Sequence, residues 1–117
     1  MGAEAKALSD GEVVEFAKGK VELVTVGNRQ IARGRYEPGW RWSEDVKPIV
    51  GTESCEHEHV GYVLTGRLHV RLNDGSEAEV GAGDAYRIPA GHDGWVVGDE
   101  AYEFIDVQMG NFGKASS

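Results

Sequence analysis

Tyr62-Val63-Leu64-Thr65-Gly66-Arg67-Leu68-His69-Val70-Arg71-Leu72, followed by Asn73-Asp74-Gly75, decides the fold class. From Leu68 onward apolar and polar residues alternate. Leu68, Val70 and Leu72 fall on one face and His69 and Arg71 on the other, the period-two pattern of a half-buried strand. Asn73-Asp74-Gly75 supplies residues that accept positive φ, so a hairpin turn follows. The same reading extends outward. Val21 to Val26 is rich in β-branched residues, and Ala85 to Ile88, Trp95 to Val97 and Tyr102 to Val107 read as further short strands. Gly27-Asn28, Pro38-Gly39, Gly81 to Asp84, Pro89 to Gly91 and Gly98-Asp99 punctuate the chain so densely that only short elements fit between them. No amphipathic helix is expected; at most a turn lies near Ser9 to Phe16. This pattern is that of an all-β sandwich or barrel.

Composition agrees. A chain of 117 residues has room for one hydrophobic core, so residues 1–117 are read as a single domain, with an ordered core of about residues 11–110 and fraying ends. The 17 glycines, well above the usual share of roughly 7%, suit a fold with many tight turns. A formal net charge of -8 repels phosphate backbones and anionic lipid, so neither nucleic acid nor membrane is an expected partner. There is no apolar run of bilayer-spanning length. One cysteine, Cys55, excludes an internal disulfide framework. With no apolar signal core in the first residues, a cytoplasmic location is expected.

Two segments carry a resemblance to a known family. Tyr62-Val63-Leu64-Thr65-Gly66 resembles the close of the first cupin motif, and Gly83-Asp84-Ala85-Tyr86-Arg87-Ile88-Pro89-Ala90-Gly91 resembles the second. The resemblance implies a double-stranded β-helix, the jelly-roll barrel of two antiparallel sheets, with one pocket inside it. The family's usual metal ligands are replaced. Its glutamate position falls on His59, its two histidine positions on Glu53 and Cys55, and its last histidine position on Gly94. Cys55, His59, Gly61 to Leu64 and Gly91 to Glu100 are also similar to a subgroup of small, mostly uncharacterised bacterial cupins. That likeness implies no particular activity.

Glu53, Cys55, His57 and His59 alternate along the chain. In an extended strand all four share one face. In a cupin barrel, Glu56 to Glu58 is instead a tight turn, and His57 leaves the interior while Cys55 and His59 stay together. His92 lies two residues before Gly94, on the same strand face, and is expected to reach the pocket from the side opposite Cys55 and His59. The candidate metal site is therefore Cys55, His59 and His92, with His57 a weaker member and Glu53 a weak catalytic candidate. Thiolate and imidazole donors suit one divalent transition metal, zinc first, then iron, nickel or copper. Arg41, Trp42 and Tyr62 are candidate contacts for a small-molecule ligand.

Plain structural roles compete with each of these. A buried cysteine is usually a small hydrophobe, His57 between two glutamates suits a solvated turn, and His69 lies on the outward face. By strand parity Val96 points inward and Trp95 outward. A thiol nucleophile activated by His59 is disfavoured, because residues four apart on a strand lie about 13 Å apart. Two functions follow: a metal-dependent small-molecule enzyme, or a non-catalytic cupin that binds or senses a small ligand without metal. A homodimer is expected, since pairing covers an exposed sheet edge.

Overall fold

The computed structural model describes residues 2–107; the fraying expected for Gly110 to Ser117 lies outside them. After a single 3-10 turn at Leu8–Asp10 the chain forms β1 (Glu12–Phe16), β2 (Gly19–Val26) and β3 (Arg29–Tyr36). Two one-turn helices follow, α1 (Trp42–Asp45) and α2 (Lys47–Val50). The remaining strands are β4 (His59–Thr65), β5 (Arg67–Leu72), β6 (Glu77–Gly81), β7 (Ala85–Ile88), β8 (His92–Val96) and β9 (Tyr102–Asp106). The strands make two antiparallel sheets, one in the order β1-β2-β3-β9-β4-β7 and one in the order β6-β5-β8. Their inner faces enclose the core of a jelly-roll barrel. Among the described residues no helix is long and apolar enough to cross a membrane.

The run from Tyr62 to Leu72 is two strands in different sheets. Gly66 separates them with φ of 78°, a left-handed conformation that costs glycine little. A Cβ there would also lie 2.4 Å from the Ala101 carbonyl oxygen. Beyond the break Leu68 and Val70 are buried while Arg71 is exposed, as the alternation requires. His69, on the outer face, stacks on Trp95 and lies within hydrogen-bonding distance of Glu77 and Glu79.

The core is aromatic on one side. Tyr36 stacks on Trp40 at 3.9 Å and tilts against Phe104 at 5.0 Å, and Tyr102 stacks on Phe104. Three expectations are corrected. Residues 12–16 form a strand, paired along β2, rather than a turn. The stretch after Trp40 contains two short helices, the second starting next to Pro48, which suits a first helical turn. The strand expected at Trp95 to Val97 starts earlier, at His92.

Candidate metal centre

His59 opens β4 and His92 opens β8, so the two imidazoles belong to opposite sheets. Cys55 joins them through the backbone. Its N–H donates to the His92 carbonyl at 2.7 Å, and the His92 N–H donates to the Cys55 carbonyl at 3.2 Å. This bridge puts His92 beside Cys55 rather than opposite it, which corrects the expected approach. The chain between Cys55 and His59 is a turn, so their separation is also far shorter than an extended strand would give: Cys55 Sγ lies 3.4 Å from His59 Nε2. The distance that argued against a thiol–imidazole pair does not hold.

All three side chains are buried, and one donor atom from each lies within 4.8 Å of the others. His92 Nδ1 is 2.7 Å from the Pro89 carbonyl oxygen. A carbonyl only accepts, so Nδ1 carries the proton and the neutral ring has its lone pair on Nε2. On His59, Nδ1 faces Asp106 Oδ2 at 3.4 Å, long for a hydrogen bond, and Nε2 faces the thiol.

The electrostatics follow from these contacts. Burial pushes the Cys55 thiol up, but hydrogen bonds and charge from His59 and His92 outweigh it and bring the thiol down to about 6. Burial pushes His59 down, but Asp106 and the thiol raise it to about 9. Without a metal both shifts run in the direction that favours a thiolate beside an imidazolium. Burial, with Asp106 close by, raises Tyr86, so its hydroxyl stays protonated and donates to Asp106 Oδ2 at 3.1 Å.

The residues present fit a metal. Tetrahedral zinc with one sulfur and one nitrogen ligand separates those atoms by about 3.5 Å, close to the 3.4 Å found for Cys55 and His59. Both rings turn Nδ1 toward an oxygen and Nε2 toward the centre, the orientation in which outer partners fix a ligating imidazole.

The cluster borders a cavity of about 50 Å³ walled by Tyr36, Trp40, Trp42, Tyr86, Tyr102 and Phe104, with Gly94 at one side. That is room for a few water-sized groups, far below the roughly 300 Å³ at which pockets for drug-sized ligands begin. Trp42 thus stands at the pocket. The other named candidates do not. Glu53 is exposed and ion-paired with Lys47 at 2.6 Å, which lowers its pKa. His57 sits in the turn outside the cluster. Arg41 lies over the outer ring of Trp95 at 4.2 Å and pairs with Asp93. Tyr62 is exposed on the outer side of β4.

Asp106 and Tyr86 were not anticipated. Tyr102, Phe104 and Asp106 share strand parity, and a carboxylate on an aromatic, inward face is the signal that marks Asp106.

Known proteins place the chain in a family. A structure from Rhizobium leguminosarum bv. viciae, of unknown function, superposes with a TM-score of 0.64 at 23% identity, covering 95% of this chain and 100% of that one. An RmlC-like cupin from Shewanella frigidimarina gives 0.62 at 17% identity, covering 92% and 90%. The polyketide cyclase RemF from Streptomyces resistomycificus gives 0.61 at 22% identity, covering 92% and 79%. These likenesses are of fold. No curated protein matches the chain. The cupin domain model matches residues 45–108, more than half the chain and all three donor residues, and the protein therefore belongs to the cupin family.

Proposed function

We propose that this cupin holds one divalent transition metal, zinc first, on Cys55 Sγ, His59 Nε2 and His92 Nε2, and uses it on a small molecule in the aromatic cavity. The observation that carries the reading is the convergence of three buried donors within 4.8 Å. Three protein ligands leave a position open, the arrangement of catalytic rather than structural zinc. When bound, such an ion supplies Lewis acidity and lowers the pKa of coordinated water to about 7.

The chain's own residues do the rest. Pro89 O and Asp106 face the two Nδ1 atoms. Trp40, Trp42 and Phe104 exclude bulk water. The proton between Cys55 Sγ and His59 Nε2, which lie 3.4 Å apart, must leave before both atoms can ligate a metal. The small cavity restricts the ligand to a small molecule, or to one small end of a longer one.

Elemental analysis tests the reading on wild type and on Cys55→Ala, His59→Ala and His92→Ala. Near-stoichiometric metal in the wild type, lost in each variant, is the expected result. A wild type that stays metal-free after incubation with zinc, iron, nickel and copper refutes it. A second reading, a metal-free cupin that binds or senses a small ligand, is then favoured by Gly94, which stands where the family's fourth ligand would be.

The same reading includes a homodimer. Among the described residues β1 and β7 end the larger sheet, and pairing with a second copy covers such an edge. A monomer by light scattering at micromolar concentration would count against it.

A further inference from the structure

β4 runs between β7 and β9, and its residue Gly61 is level with Tyr86 on one side and Asp106 on the other. Tyr86 and Asp106 nevertheless touch, Oη to Oδ2 at 3.1 Å, reaching across the intervening strand. Gly61 permits this. A Cβ there would lie 2.7 Å from Tyr86 Oη, 2.9 Å from Asp106 Cα and 2.1 Å from the Ile105 carbonyl oxygen. Two residues earlier on the same face of β4 stands His59, whose Nδ1 is buried and makes no hydrogen bond of good geometry. Asp106 Oδ2 is 3.4 Å from that nitrogen, and Asp106 itself is 1% exposed.

A fully buried carboxylate is costly unless its oxygens are engaged. A buried imidazole N–H is likewise costly without an acceptor. Here each sits where the other needs it, and Tyr86 fixes the carboxylate from the far side. Tyr86 and Asp106 also line the cavity, but the role of this arrangement is the one toward His59.

We propose that Asp106, held by Tyr86 across the gap left by Gly61, is a positioning residue that keeps the proton of His59 on Nδ1 and aims Nε2 at the centre formed with Cys55 and His92. The inference rests on the metal reading for its functional meaning, but its physical content, the side of the ring that carries the proton, is testable without metal.

The experiment has two arms. In the metal-free Cys55→Ala protein, where no thiolate faces Nε2, long-range proton–nitrogen spectra read which nitrogen of the neutral His59 ring carries the hydrogen. Nδ1–H is expected there, and a shift toward Nε2–H when Asp106→Leu is added. Neutral His59 in the Nε2–H form in Cys55→Ala overturns the proposal whether or not metal binds.

In the second arm the protein is loaded with cobalt(II). His59 and His92 should each show a shifted, exchange-protected Nδ1–H signal. In Asp106→Leu the His59 signal should lose protection while that of His92, on Pro89 O, keeps it. Zinc affinity should fall about 10–100-fold. Asp106→Asn, whose amide oxygen still accepts, should restore the His59 signal. If Asp106→Leu does not fold, Tyr86→Phe serves: it should reduce protection at His59 alone. Equal loss at both histidines, or none at His59, overturns the proposal. Failure of the wild type to take up cobalt or zinc refutes the metal reading and leaves the first arm to decide this one.

Discussion

Replacing Gly94 by alanine probes the cavity and its coordination site together. Gly94 is buried in β8, opposite Val70, and borders the cavity. Its φ is not positive, so alanine fits the backbone. A Cβ would meet the His69 carbonyl oxygen at 3.4 Å and the Leu68 methyls at 3.8 and 3.9 Å, all ordinary contacts. Two gains follow. Restricting the unfolded chain contributes about 0.4–1 kcal/mol, and burying one methyl group contributes about 0.8 kcal/mol. The sum, about 1–2 kcal/mol, raises the melting temperature by about 3–12 °C for a domain near this size. Thermal and urea unfolding of metal-stripped protein measure it. Metal content should stay at the wild-type level, because no donor is touched. A melting temperature below wild type would refute the reasoning: the space beside Gly94 would then be filled or closed in solution.

Other outcomes are equally specific. Phe104, 2% exposed and packed among Tyr36, Tyr102 and Gly34, should cost about 3–5 kcal/mol when cut to alanine; a urea midpoint within error of wild type would show that the aromatic core is not where the stability lies. Zinc at a hundred times its dissociation constant should stabilise the wild type by about 2.7 kcal/mol and Cys55→Ala by much less, read by melting with and without chelator. His69 lies beside Glu79 and Glu77, and both raise its pKa above the usual value near 6.5. A raised folded value means that the stabilisation is complete below the unfolded pKa and is lost as pH rises through the folded one. A nuclear magnetic resonance titration should therefore place His69 above an unperturbed histidine and bring it down in Glu79→Gln; a midpoint at or below the usual value would show that the carboxylates do not engage the ring.

Much of this was legible in the residues, for identifiable reasons. β5 and β7 announce themselves because one face is apolar and the other wet, and the hairpin after Leu72 follows from Asn73-Asp74-Gly75. β3 carries no such announcement. Its inward positions include Ala32 and Gly34, kept small where Phe104 presses to within 2.2 Å of a Cβ at Gly34, so hydrophobic contrast is weak. β6 is mostly exposed and has little apolar pattern to read. Helices of four residues are too short to show a period of 3.6. The grouping of Cys55, His59 and His92 was readable from type and spacing. Their close approach was not, because a turn at 56–58 undoes the arithmetic of an extended strand. Asp106 escaped notice because its meaning depends on Tyr86, twenty residues away in sequence and two strands away in space.

The bridge between Cys55 and His92 gives the barrel an asymmetry of its own. His59 belongs to the six-stranded sheet, and Cys55 is tied by its backbone to the three-stranded one. The contact between thiol and imidazole is thus a clasp between the two walls of the barrel. A metal taken up by these three side chains would tie the two sheets together at this end, and amide exchange in β4 and β8 should then slow together as the centre fills.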